Sequence, residues 1–257
     1  MRFSSFRRIA SAVAVTAVLS TALAPAASAQ TPTHVYDLNG SLADALGGPA
    51  ITNSSGGTLG PTGVTFGANQ GLTLSGVLSS TTYSIETQFS LNETTGYRKL
   101  IDFTNRTSDG GLYNLGTSLT FYNGWGTGSA NAIPANALTH LVVTRDGATN
   151  AFSAYINGVS QFSFTDSGGI GLFSGPSNIA HFFIDDASTG SEASAGFVDY
   201  IRTYDTVLNQ TEVTSRFNNR NVPFGADGTA APEPGSLALL LPVMGTLGIV
   251  LRRRKAA

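Results

Sequence analysis

The 257-residue chain contains no cysteine. This excludes disulfide staples, zinc–thiolate sites, iron–sulfur clusters and cysteine catalysis, and leaves the fold to be held by its core alone. Charge is also scarce, at 12% of residues. Between residues 30 and 231, seven basic groups (Arg98, Lys99, Arg106, Arg145, Arg202, Arg216 and Arg220) stand against fifteen acids, a net of −8. Such an acidic surface repels phosphate backbones and argues against nucleic acid as a partner, while divalent cations and neutral sugars are compatible with it. No G-x-S-x-G elbow occurs, and His34, His140 and His181 are scattered without a triad pattern. Each histidine is read as a surface or core-edge residue. No long amphipathic helix is visible either.

What is present begins at the two ends. Arg2, Arg7 and Arg8 flank an apolar run from Ile9 to Leu23, and Ala27-Ser28-Ala29 then offers a small-residue cleavage site before Gln30. This is the pattern of a secretory signal peptide, residues 1–29, cut by signal peptidase between Ala29 and Gln30. The other end carries Pro232-Glu233-Pro234, an apolar run from Leu237 to Leu251, and Arg252-Arg253-Arg254-Lys255. The run is shorter than the roughly 20 apolar residues that span a bilayer comfortably, and its arginines would hold the end on the cytoplasmic side. It reads as a hydrophobic sorting helix that anchors the protein transiently; a permanent single-span anchor is the alternative.

The triplet, the hydrophobic stretch and the arginine cluster, in that order, resemble the PEP-CTERM sorting signal of Gram-negative bacteria. The resemblance implies an exosortase as processing partner, removal of the tail near Pro232-Glu233-Pro234, and export linked to exopolysaccharide. It places the mature protein at the cell surface or in the extracellular matrix, after a transient stay in the inner membrane. The organisation is then signal peptide (1–29), one domain (30–225), and a linker with the sorting signal (226–257).

The middle of the chain reads as all-β. Tyr83, Ile85, Thr87, Phe89 and Leu91 alternate with Ser84, Glu86, Gln88 and Ser90, the pattern of a half-buried strand. Similar runs fall at 64–66, 100–103, 119–122, 141–144, 152–156, 161–164, 181–184 and 197–204. Gly-rich turns separate them. Asp146-Gly147-Ala148-Thr149-Asn150 and Asn157-Gly158 tie three consecutive strands into a meander, the second with a type I′ signature. One short helical segment is expected between Val207 and Phe217, with Asn209 as N-cap and Glu212 at the third helical position. The fold class is a two-sheet antiparallel jelly-roll sandwich.

Leu138-Thr139-His140-Leu141-Val142-Val143-Thr144-Arg145-Asp146-Gly147, followed by Phe152 to Val159 with its Tyr155-Ile156-Asn157-Gly158 hairpin, resembles the paired strands of laminin-G-like, concanavalin A-like domains. Thr139 stands where that family usually has tryptophan. Phe197 to Leu208 resembles the closing strand. The resemblance implies the sandwich fold across most of residues 35–218, but a fold does not fix a function. Glucanases of this architecture carry nucleophile and acid on one E-x-D-x-E strand. Here Glu86, Glu93, Glu192, Glu212 and Glu233 share no strand, and Asp185-Asp186 would point to opposite faces if extended. The expectation is therefore a protein that is not an enzyme.

The same resemblance implies rim Ca²⁺ sites built from aspartates and carbonyls, with Asp109, Asp185 and Asp186 as the candidate ligands. The alternative, favoured by the lack of a dense D-x-D-x-D-G loop, is that Asp109 makes an Asx turn and Asp185 and Asp186 are solvated rim charges. For glycan binding, Tyr122, Asn123 and Trp125 offer aromatic faces and an amide in one Gly-rich loop, with Trp125 the single tryptophan. Trp125 folded back as a cap on the sandwich is the competing expectation. Together these readings describe a secreted matrix protein whose lectin-like domain binds extracellular polysaccharide. A purely structural matrix protein is the alternative, and a divergent carbohydrate-active enzyme is third.

Overall fold

Alternation and turn chemistry convert into fifteen strands and one α-helix in the residues that the computed structural model describes, 30–53, 55–187, 191–222 and 224. Ala29, Pro232, Glu233, Pro234, Arg252, Arg253 and Arg254, and with them the signal peptide and the sorting tail, lie outside the described residues. In chain order the strands are β1 (His34–Tyr36), β2 (Thr52–Asn53), β3 (Thr58–Gly60), β4 (Gly63–Phe66), β5 (Leu72–Leu74), β6 (Tyr83–Leu91), β7 (Tyr97–Asp102) and β8 (Gly111–Leu115). There follow β9 (Ser118–Phe121), β10 (Gly126–Thr127), β11 (Thr139–Arg145), β12 (Ala151–Ile156), β13 (Val159–Thr165), β14 (Ala180–Phe182) and β15 (Gly196–Tyr204), and then α1 (Gln210–Asn218).

Every pairing is antiparallel, in two sheets. The first runs β13-β12-β11-β6-β15-β4-β3 with β1 also on β15, and the second runs β10-β9-β8-β7-β14-β5-β2. Their facing sides enclose one aromatic-rich core, where Phe103 stacks on Phe173 at 4.5 Å and Phe66 on Phe183 at 4.6 Å. With no disulfide available, this burial carries the fold. The expected meander is β11-β12-β13, and both Asn157 (φ +50°) and Gly158 (φ +80°) take the positive φ of a type I′ turn.

Some expectations need correction. The polar side of β6 is not a solvent face, because Ser84, Glu86 and Gln88 are all buried. The strand is central, between β11 and β15, and α1 packs on residues of those two neighbours. The Asn209 side chain accepts from the Thr211 and Glu212 backbone N–H groups, and the Glu212 carboxylate accepts from the Asn209 N–H, the capping box that sets the helix start. Val213 and Leu208 then pack on Val142 and Tyr204 of the sheet. His140, expected at a surface or core edge, is likewise enclosed there, with the Phe217 ring 5.9 Å from its own. The run at 181–184 also ends early, at Phe182. Phe183 adopts φ +62°, which breaks the strand and re-aims the segment after it.

Candidate functional site

On the side of the second sheet that faces away from the core, β7 and β8 place Lys99 opposite Tyr113. A register shift between Lys99 and Ile101 makes Leu100 an extra residue, so that Leu100 and Ile101 both reach the core. Tyr97 and Tyr113 meet edge to face at 5.5 Å, and Tyr122, just past β9, joins both at 6.0 and 5.7 Å. The Lys99 ammonium lies 4.3 Å from the centre of the Tyr113 ring and 3.3 Å from Asp102 Oδ2. Tyr113 and Lys99 are buried, whereas Tyr97 and Tyr122 are partly open.

Three loops bring carboxylates to these rings. Asp109 comes from the turn before β8, Asp185 and Asp186 from the segment after β14, and Glu192 from the approach to β15. Because the chain leaves β14 through the left-handed Phe183, Asp185 and Asp186 are not in an extended strand and do not diverge. Their carboxylates and that of Asp109 offer oxygens all within 4.8 Å of one another. The expectation of solvated rim charges fails for Asp185 and Asp186, which are 0% and 1% exposed. Asp185 is fixed on several sides: its N–H donates to Asn69 Oδ1 (2.9 Å), its carbonyl accepts from Arg106 Nε (2.7 Å), and its Oδ2 accepts from the Glu192 N–H (2.8 Å).

The electrostatics of this cluster are unbalanced. A hydrogen bond to Asp186 and burial push the Asp109 carboxyl above its usual range, and Tyr122 bonded to Asp109 is raised in turn. Burial, then the charges of Asp185 and Asp109, raise Glu192. Burial and the same carboxylates push the Tyr113 hydroxyl far up. Two carboxyls in hydrogen-bond contact share a proton, or must share a cation instead. The donor set is all hard oxygen, and Asp185 Oδ1 has no hydrogen-bond partner. These residues therefore fit Ca²⁺.

The aromatic loop expected to form one glycan site is divided. Tyr122 turns to Tyr97 and Tyr113, whereas Trp125 is 47% exposed and lies 5.8 Å from Phe164 of β13. Asn123, at φ +66° in the 3-10 turn of residues 122–124, is exposed between them. Nothing in the sequence pattern singles out Tyr97, Lys99, Tyr113 or Glu192 as site residues. In the run Gly111 to Leu115 only Tyr113 itself favours a strand, a signal too weak to place it opposite Lys99.

On the same face, an open groove beyond β7 is lined by Asn105, Arg106, Thr107, His181 and Ala187. His181 uses both ring nitrogens, to Thr73 Oγ1 (2.8 Å) and Asn105 Oδ1 (2.9 Å), and burial lowers its pKa. It is a neutral structural group there. Among the described residues no helix is long and apolar enough to cross a membrane.

A search of curated proteins finds no match. Among solved structures, the chain is similar to domain 4 of AbnA, a GH43 extracellular arabinanase from Geobacillus stearothermophilus in complex with arabinotriose, with 22% identity over 73% of this chain and 98% of that one and a TM-score of 0.52. It is also similar to Trypanosoma rangeli sialidase bound to 2,3-difluoro-KDN (16% identity, 80% of this chain and 36% of that one, TM-score 0.57). A third is the binding domain of botulinum neurotoxin serotype D (11% identity, 75% and 53%, TM-score 0.54). At these identities the likeness carries the fold alone. A family profile described as the concanavalin A-like lectin/glucanases superfamily, of laminin-G type, matches residues 66–214. That match spans more than half of the sequence, and the chain belongs to this superfamily.

Proposed function

We propose that the domain is a non-enzymatic carbohydrate-binding module of a secreted bacterial matrix or surface protein, and that it binds through the outer face of its second sheet. The observation that carries this reading is the union of three tyrosine rings, Tyr97, Tyr113 and Tyr122, with the carboxylates of Asp109, Asp185, Asp186 and Glu192. The partly open faces of Tyr97 and Tyr122, backed by the buried Tyr113, supply area for a sugar ring, and the partly exposed Asp109 and Glu192 accept from its hydroxyls. Asp109 and Asp186 are in direct hydrogen-bond contact, closer than the roughly 5–5.5 Å or 6.5–9.5 Å between acid and nucleophile or base in glycosidases. That spacing supports a cation site rather than a hydrolytic pair.

Asp109, Asp185 and Asp186 would hold Ca²⁺, which would offset their charge and present a Lewis acid to sugar hydroxyls. The protein's own part is to fix Asp185 from three sides and to hold Tyr122 against Asp109. Export through the signal peptide and processing of the Pro232-Glu233-Pro234 tail by an exosortase rest on the terminal sequence patterns. They predict a native protein that lacks residues 1–29 and everything beyond the triplet, which intact-mass measurement on material from its own host would check.

A glycan array, run with Ca²⁺ and with chelator, tests the binding reading. Tyr122→Ala is expected to weaken any positive signal at least about tenfold, on the scale of one lost aromatic contact at a binding site, and Trp125→Ala to weaken it less. Silence of the unmodified protein across the array would instead favour a purely structural matrix role.

A further inference from the structure

The tyrosine–carboxylate site lacks matching positive charge. Five carboxylates surround it (Asp102, Asp109, Asp185, Asp186 and Glu192) against two cations. Lys99 is committed to Asp102, and Arg106 donates its Nε to the Asp185 carbonyl from the side of the neighbouring groove. Arg98 is paired with Glu93. Without Ca²⁺, and even with one proton shared between Asp109 and Asp186, the balance stays negative, so an ammonium is the alternative occupant of the carboxylates that would otherwise hold the metal.

A second observation is independent of that count. Tyr113 is fully buried and its hydroxyl has no hydrogen-bond partner, although the charges of Asp185, Asp109, Glu192 and Asp186 all act on it. Asp185 Oδ1 and Glu192 Oε2 are also without partners. Buried polar atoms normally find one, so three unpartnered oxygens, each closed to solvent, leave the cluster short of donors. These oxygens are mostly acceptors. They want a compact group with several donors and positive charge, which describes an ammonium. The partly open faces of Tyr97 and Tyr122 favour the same charge through their ring quadrupoles.

Resting on the carbohydrate-binding reading, we propose that the site selects sugars with a free amine: hexosamine units that are not N-acylated, presented in an oligosaccharide. An acetamide in that position would bring a carbonyl against carboxylates and carry no charge, and a uronate would be repelled.

Titration calorimetry on the full-length protein, in chelator and at mildly acidic pH where the amine is protonated, tests this directly. The probes are a glucosamine tetramer, the N-acetylglucosamine tetramer and a galacturonic acid tetramer. The free-amine tetramer is expected to bind at least about tenfold more tightly than the acetylated one, with no heat from the uronate. Glu192→Gln should pull that ratio toward one while the protein keeps its cooperative thermal transition. Equal affinity for both hexosamine tetramers, still dependent on Tyr122, overturns the amine preference and leaves the carbohydrate reading standing. A lysine tetrapeptide that binds as tightly as the amino sugar overturns it in favour of an unselective cation site. Absence of heat from every sugar overturns the amine preference, and the glycan array with Ca²⁺ then decides the carbohydrate reading by itself.

Discussion

On the first sheet, a fully buried carboxylate is surrounded by donors and covered by a helix. On the second, carboxylates crowd one another beside one buried and two partly open tyrosines. Glu86 accepts from His140 Nε2 (3.1 Å), Tyr200 OH (3.1 Å) and Tyr204 OH (2.5 Å), with Arg202 3.6 Å away. Burial alone would push its carboxyl up, but the His140 hydrogen bond and the Arg202 charge outweigh it and hold the pKa at about 2. Asp109 and Glu192 shift the other way. A bulge at Asp199 of β15 underlies the first arrangement. By shifting the register between Val198 and Tyr200, it turns Tyr200, Arg202 and Tyr204 onto the Glu86 side. The contrast separates a charge kept for architecture from charges kept without compensation, and the proposed site rests on the second kind.

The largest effect should come from breaking the compensated side. Glu86→Gln leaves Arg202 buried without its main anion and is expected to cost about 3–5 kcal/mol of stability, read from urea unfolding. The pH profile checks the same group. Its folded pKa is depressed from 4.5 to about 2, so its contribution is complete above pH 4.5 and is lost as pH falls through about 2. The unmodified protein should therefore lose stability steeply across that window, and the Glu86→Gln variant should lack this component. A smaller effect is expected from loosening the cover. Asn209→Ala removes the cap of α1 and should cost about 1 kcal/mol, with Tm as the readout and glycan binding unaffected.

The difference between the two faces also explains what the sequence makes legible. The strands β6, β11, β12 and β15 of the first sheet are long, β6 and β12 alternate in sequence, and the capping box of α1 is a local signal, so these elements are readable from the residue pattern alone. The sandwich follows from them. That Leu208 and Val213 pack on Val142 and Tyr204, the neighbours of Glu86 on the adjoining strands, is a tertiary fact, which is why the polar side of β6 reads as solvent-facing when it is enclosed. In the candidate site, Asp109, Asp185, Asp186 and Tyr122 stand out individually as residue types near turns. Their convergence does not, because it depends on the positive φ of Phe183 and on short strands that bring Tyr97 and Tyr113 beside them. Phenylalanine has no chemical reason to signal a left-handed residue, and Trp125, the most conspicuous aromatic in the sequence, faces Phe164 instead.

The smallest expected effect is also the sharpest, because its sign is opposite to that of Glu86→Gln. Asp109→Asn removes one member of the Asp109–Asp186 pair while keeping its shape and its capacity to hydrogen-bond Tyr122. A carboxyl whose folded pKa is raised works against the folded state when ionised, so its stability contribution declines as pH rises past the unfolded value. The amide is free of that opposition. In chelator at neutral pH, Tm should rise, by on the order of 1–2 °C in a domain of this size, since solvent screens a partly exposed group. Affinity for a cationic or Ca²⁺-dependent ligand should fall in the same variant. A gain in stability coupled to a loss of binding is the signature of an uncompensated functional cluster. If Asp109→Asn instead lowers Tm as Glu86→Gln does, the carboxylates of the second sheet are as architectural as Glu86, and the distinction between the two faces disappears.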